Sequence, residues 1–148
     1  MKIIIIEFFM AFMACLFFAI VYNTPKKKMF FCGLFGGLGY ALYYYLSRIC
    51  GFGISANFFG ALLIAFMARI LSIYRQIPVM LYVLPSVFPL SPGANMYNAA
   101  YAIIKSDMFT AGIQTMICIK VVGVCVIAIL IILSLPEFLF KPFKKKAV

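Results

Sequence analysis

Histidine and tryptophan are absent from this 148-residue chain, and only three of its residues are acidic. Without histidine, the chain can form neither a Ser-His-Asp triad nor a histidine-ligated metal site. The five cysteines form no CxxC pair, and most lie in apolar runs, where cysteine behaves as a small apolar residue. We therefore expect no metal, no cofactor and no enzymatic activity.

Charged residues make up only 11% of the chain, whereas 67% of it is hydrophobic, against roughly 45–50% in soluble proteins. A soluble globule of this size could not cover its surface with so few charges. The composition excludes a water-soluble enzyme and predicts an all-α, polytopic integral membrane protein of the lipid bilayer.

Much of the net charge of +10 comes from short basic clusters beside apolar runs, at Lys26–Lys28 and in the tail at Lys141 and Lys144–Lys146. A nucleic-acid-binding domain would instead gather its cations on one solvated face. Basic clusters between spans are typical of cytoplasmic loops. We therefore expect no nucleic-acid partner.

Apolar runs long enough to cross a bilayer, about 20 residues each, divide the chain. We predict one transmembrane domain, 1–148, with five spans and a basic cytoplasmic tail over 137–148. The predicted spans are 3–23, 29–49, 54–74, 78–104 (broken near 85–93) and 109–135. Because most lysines and arginines fall on one side of this arrangement, we expect a multi-pass protein of the cytoplasmic membrane with its amino end outside and its carboxyl end in the cytoplasm.

Small residues in the second and third spans follow the spacing that lets membrane helices approach closely. Gly33 and Gly37 lie four residues apart, as do Ala56 and Gly60, so we expect these two spans to pack together. Tyrosines 43–45, toward the outer end of the second span, fit an interfacial aromatic belt.

The fourth predicted span contains four of the seven prolines of the chain, at positions 78, 85, 89 and 92. Each interior proline removes a backbone donor and clashes with the preceding helical turn, so three within eight residues should end the helix. Unwound backbone at membrane depth is tolerated only where it is buried in protein or lines a wet cavity. We therefore expect a cavity at this break.

A second half-helix should begin at the break, because Ser91 is a preferred N-cap residue and Pro92 suits the first helical position. Its free amides and positive dipole end favour an anion, such as a substrate carboxylate. Asn95 and Asn98 continue from Ser91 along one face that also carries Ala102. Alternatively, the two asparagines only form hydrogen bonds with a neighbouring helix.

Of the charged residues within the predicted spans, Lys120 and Glu7 bear on function. Lys120 is at a depth similar to that of Ser91, and a lysine there costs about 2.5–3.5 kcal/mol on insertion scales. We predict that Lys120 adds positive charge to the site; alternatively, it pairs with backbone carbonyls or a partner's carboxylate. Glu7, one turn inside the outer end of the first span, is the only candidate for a proton-coupling acid.

Three stretches, 22–39, 88–97 and 133–136, resemble recurring sequences of the threonine/serine exporter family. The likeness covers nearly the whole chain and is closest to the small integral-membrane subunit of the split, two-component exporters. That resemblance implies a larger, separately encoded subunit that supplies the other half. It also implies export of threonine and serine, or of small dicarboxylates such as succinate.

Pro92, Gly93 and Tyr97 match the PGxxxY core of this resemblance, whereas Lys120 departs from the family's pattern. Ser91 and the two asparagines depend on the physical argument alone. The predicted substrate-binding residues are therefore Ser91, Pro92, Gly93, Asn95, Tyr97, Asn98 and Lys120.

The predicted function is that of a subunit of a secondary exporter for small anionic or zwitterionic substrates. Since 148 residues are few for a complete carrier, we expect a larger exporter subunit of the same family as partner, or a homo-oligomer. One alternative is a non-transporting scaffold or assembly subunit. Another is a small proton-coupled drug exporter, which would need an acid deep in the membrane and cationic substrates.

Overall fold

Residues 2–136 are described by the computed structural model, and within them every regular element is helical. The elements are α1 (Lys2–Val21), α2 (Lys26–Arg48), α3 (Ser55–Arg75), α4 (Met80–Val87), a 3-10 turn (Phe88–Leu90), α5 (Gly93–Ile104) and α6 (Met108–Ser134). The predicted all-α class is confirmed. The predicted basic tail over 137–148 lies outside the described residues.

Four helices, α1, α2, α3 and α6, are long and apolar enough to cross a membrane. The stretch Met80–Leu90 is also apolar but shorter, and α5 follows it. The chain is therefore a polytopic membrane protein. The count of five spans stays a prediction, because it requires α4 and α5 to complete one crossing together.

The helices pack mostly on their neighbours in the sequence. The break between α4 and α5, residues 88–92, lies near the middle of the bundle. α1 packs on α2, α2 on α3, and α3 on α6, whereas α4 fits against α1, α2 and α3. Within the described chain, α5 packs on α6 and on no other helix. We call the end of the bundle with the α1–α2 turn (22–25) the lower end, and the end with the α2–α3 turn (49–54) the upper end.

Glycines of α2 make close contacts with the neighbouring helices α1 and α3. A methyl group on Gly33 or Gly37 would lie about 3 Å from the rings of Phe12 and Phe8 in α1. Gly39 instead approaches Gly60 of α3, where a methyl group added to either glycine would meet the other's carbonyl oxygen at 3.0–3.1 Å. The expected packing of the second and third spans is therefore made through Gly39, two residues and about 200° around the helix from Gly37.

α4 is held in place by hydrogen bonds from its second turn. The Ser86 hydroxyl lies 2.9 Å from the carbonyl oxygen of Cys32 in α2 and 2.7 Å from that of Tyr82 in its own helix. The Cys15 thiol of α1 donates weakly to the Ser86 carbonyl at 3.8 Å. Because Ser86 and Tyr82 are fully buried, these contacts fasten α4 inside the bundle.

Between α4 and α5 the chain leaves the α-helical conformation later than expected. Pro85 lies inside α4, which continues to Val87, and the break covers the 3-10 turn, an extended Ser91 and Pro92. The predicted Ser91 cap is not formed, because α5 begins at Gly93 and no side chain caps it. That the prolines cause the break stays a prediction.

Candidate functional site

A cavity of about 220 Å³ lies at the start of α5, where the break meets the neighbouring helices. Its volume is below the roughly 300–1,000 Å³ of drug-sized ligand pockets, so it suits a molecule of few heavy atoms. Tyr40 and Tyr43 of α2, Asn57 of α3 and Val121 of α6 form three walls. Residues 89–95 form the fourth.

The first turn of α5 supplies backbone donors to this cavity. The Gly93 amide bonds the Ser91 carbonyl at 2.8 Å, and regular helical bonding begins with the Met96 amide and the Pro92 carbonyl at 3.0 Å. Ala94 and Asn95 also line the cavity, and their backbone amides have no acceptor one turn earlier in a helix that begins at Gly93. Together with the positive end of the helix dipole, they make this wall attractive to an anion.

Asn57 is the most buried polar side chain of the cavity wall. It is only 6% exposed, and its amide has no side-chain hydrogen bond to any residue between 2 and 136. Its polar atoms are not among the buried side-chain atoms without a partner, and because the residue lines the cavity they can bind a polar ligand there. Tyr40 and Tyr43, both on α2, have ring centroids 5.5 Å apart, and both residues line the cavity with phenol side chains.

Four of the seven predicted site residues line the cavity: Ser91, Pro92, Gly93 and Asn95. Tyr97 and Asn98 do not, because they belong to the next turn of α5 and are exposed. Tyr97 is 69% exposed, and its ring stacks on Tyr101 at 6.2 Å. The structure therefore joins the first turn of α5 to the cavity and leaves its second turn outside.

Lys120 lies at the predicted height but on another face of α6. The Cys118 thiol is 3.9 Å from the Pro92 carbonyl, which sets the height of this part of α6 beside the break. Two residues correspond to about 200° around a helix, so Lys120 lies nearly opposite Cys118. Its side chain is exposed, and it is the adjacent Val121 that lines the cavity. The described chain does not bring Lys120 to Ser91.

A second cavity, of about 180 Å³, lies on the opposite side of residues 90–92. Its lining is almost wholly apolar and includes Val87 and the lower half of α6, from Val122 to Ile129. α4 and α6 do not pack on each other in the described chain, so this cavity is a cleft between them. Residues 90–92 thus separate a polar upper cavity from an apolar lower cleft.

Three wall residues, Tyr40, Tyr43 and Asn57, are not among the predicted site residues. The sequence assigns Tyr43 to an interfacial belt, but it is half-buried and packs against the core around Ile64 and Leu90. Asn57 could have been found from the sequence, because it is the only residue with a side-chain amide in the third predicted span, 54–74. The asparagines of α5 carry a stronger signal because they follow the proline-rich break.

A sequence model of the family described as "Threonine/Serine exporter, ThrE" matches residues 7–135. The matched range contains the whole cavity wall and all the helices except the first residues of α1. No solved structure matches the chain. The comparison therefore concerns the sequence, and the geometry of the cavity comes from this structure alone.

Proposed function

The chain belongs to the threonine/serine exporter family, and from that premise we propose that it is a subunit of a secondary exporter of threonine, serine or small carboxylates. Its helices place it in a membrane, and we assign it to the cytoplasmic membrane. The observation that carries the proposal is the polar cavity where α5 begins at mid-bundle. Helix breaks of this kind hold substrates in secondary transporters.

The carboxylate of the substrate is held by the first turn of α5. The amides of Ala94 and Asn95 donate to it, and Gly93 lets the backbone approach because no side chain stands there. The Asn57 amide, buried and without a side-chain partner among the described residues, binds a second polar group of the substrate. Ser91 lines the same wall and contributes its hydroxyl.

Transport requires the substrate to pass residues 90–92, which divide the upper cavity from the lower cleft. We infer that this segment moves together with α5, because α5 is attached to the rest of the described chain only through α6 and its two connections. The basic side chains Lys28 and Arg75 lie toward the lower end of the bundle. We assign that end to the cytoplasm, which agrees with the positive-inside rule.

A partner subunit completes the exporter in this proposal. One face of α5 is free in the single chain and exposes Met96, Tyr97 and Tyr101. An exporter subunit of the same family, or a second copy of this chain, covers that face. Tyr97, Asn98 and Lys120 lie outside the cavity, and in this proposal they do not contact the substrate.

Efflux of labelled threonine from cells tests the proposal. A strain that lacks the gene is complemented with the wild-type chain, with Asn57→Ala or Ser91→Ala, or with the matched control Asn98→Ala. We expect the two cavity variants to lower kcat/KM about tenfold or more, which corresponds to about 1.4 kcal/mol. The control, whose side chain lies outside the cavity, should stay within twofold of wild type.

Equal efflux in all four strains, with equal protein accumulation, would contradict the cavity as the substrate site. If, in addition, glycine variants of α2 abolish efflux, the chain is a scaffold for a transporting partner. If the wild-type chain exports a cationic drug and neither threonine nor a carboxylate, it is a drug exporter.

A further inference from the structure

Glu7 is the only acidic residue that lies within a helix in the described range 2–136. The other described acid, Asp107, lies in the connection before α6. Glu7 is half-buried, although a carboxylate in a membrane span is costly and usually serves a function. The transport site proposed above assigns it no role.

The contacts of α1 set the depth of Glu7. Phe8, the next residue, packs on Gly37, where an added methyl group would be 2.9 Å from the Phe8 ring. Gly37 precedes Arg48, the last residue of α2, by eleven positions. At about 1.5 Å per residue, the contact lies about 16 Å below the upper end of α2. Glu7 is therefore deeper in the bundle than its position in α1 predicts.

The position of Glu7 on α1 directs it toward the upper cavity. Ala11 and Cys15 follow it at intervals of four residues, and both are buried. Below Glu7, the Cys15 thiol reaches the carbonyl of Ser86 in α4. Above that contact α4 has ended. Because Gly33 packs on Phe12 and Gly37 on Phe8, Tyr40 of α2 lies within about one turn of the height of Glu7, close enough for an electrostatic interaction. Tyr40 is a wall of the cavity.

We propose that Glu7 determines which charge the substrate carries at its second end. The first turn of α5 attracts one carboxylate, and this feature is common to amino acids and dicarboxylates. Glu7, acting across Tyr40, favours an ammonium group at the other end and repels a second carboxylate. The inference rests on the proposed function, because it assumes that the cavity holds the substrate.

The other ionisable groups near Glu7 do not remove the negative potential that its carboxylate produces at Tyr40. Tyr43, Tyr44 and Arg48 also interact with Tyr40, but Arg48 lies at the upper end of α2, where its side chain is exposed. The segments of α4 and the 3-10 turn that pack on α1 carry no charged residue. Among the described residues, Glu7 is therefore the only acidic group at this height on the Tyr40 side of the cavity.

The test compares labelled threonine with labelled succinate, measured as efflux from the complemented deletion strain. Glu7→Gln keeps the shape of the side chain and removes its charge. We expect it to lower the threonine-to-succinate ratio of kcat/KM at least tenfold. Glu7→Asp keeps the charge and should restore most of the wild-type ratio. Asp107→Asn removes one negative charge outside the spans and should leave the ratio unchanged.

Several results would overturn the inference. An unchanged ratio in Glu7→Gln, or an equal loss of both substrates, means that Glu7 has no role in selecting charge. A retained ratio combined with lost dependence on the pH gradient means that Glu7 couples protons instead. If Glu7→Gln does not accumulate, Glu7→Asp decides, because a role in charge selection requires it to keep the wild-type ratio. Failure of the wild-type chain to export either substrate would overturn the proposed function, and this inference with it.

Discussion

The two parts of the chain, α1–α4 and α5–α6, use glycine in opposite ways. In the first part, Gly36 and Gly39 stand where a methyl group would collide with side chains of α1 and α3. In the second part, a methyl group added to Gly93, Gly112 or Gly123 would have nothing within 4 Å. The glycines of the first part are thus closely packed, whereas those of the second are exposed.

This difference separates the helices that pack closely from those that have few close contacts. Lipid provides little hydrophobic reason for helices to associate, so the close glycine contacts of α1–α4 supply much of its stability. α5 depends on α6 alone within the described residues. The polar cavity lies on the boundary between the closely packed part and α5, the helix that we propose moves during transport.

Substitution of Gly36 should produce the largest effect. In Gly36→Leu the side chain would overlap the Cys15 thiol, and its Cβ would lie 3.0 Å from the Ser86 carbonyl oxygen. We expect a loss of stability of about 3 kcal/mol or more, at the upper end for overpacked sites. The matched control Gly123→Leu should change stability by less than about 0.5 kcal/mol. Thermal unfolding in detergent measures both, and equal melting temperatures would contradict the comparison.

Ser86→Ala should produce a smaller loss. The variant removes the buried hydroxyl that bonds the Cys32 carbonyl, and such a hydrogen bond contributes about 1 kcal/mol. Ser134→Ala removes a similar bond to Ile131 at an exposed position of α6, and there we expect less than about 0.5 kcal/mol. Thermal unfolding of the two variants tests whether the hydrogen bond in α4 contributes more to stability than the one in α6. A larger loss in Ser134→Ala would reverse that conclusion.

Lys120→Met should have little effect on transport by comparison with Asn57→Ala. Lys120 faces away from the break, so we expect its replacement to change the KM for threonine less than twofold. Concentration-dependent efflux measures the change. A KM increase as large as that of Asn57→Ala would show that the assembled exporter brings Lys120 to the substrate.

The smallest effect should come from Asp107, at the exposed start of α6. Hydrogen bonds from Thr110, whose amide lies 3.1 Å from the carboxylate, lower the pKa of Asp107. Because the pKa is lowered, the charged N-cap stabilises α6 fully at pH values above the usual carboxyl pKa of about 3.9. This stabilisation is lost as the pH falls through the lower pKa of the folded state. The amide shift of Thr110 in a pH titration should follow that transition, and Asp107→Asn should abolish it.

Most of the fold could be predicted from the sequence, since long apolar runs and turn residues mark helices. The site could be predicted only in part. Ser91 and Asn95 can be found because prolines mark the break, whereas Lys120 has the predicted height but lies on a different face. The apolar residues of α6 are spread around the whole helix, so its sequence has no periodicity that tells which face meets α3. Asn57 and Tyr40 join the cavity through contacts between helices, which spacing along one helix does not encode.

Protection of a thiol at position 91 tests the central claim most directly. Ser91→Cys, in membranes from the complemented strain, is labelled with a water-soluble thiol reagent, and the unsubstituted chain, with its own cysteines, gives the background. Threonine should slow labelling of the variant, whereas threonine amide, which lacks the carboxylate, should not. Equal protection by both compounds, or by neither, would contradict the claim that the start of α5 holds the substrate carboxylate.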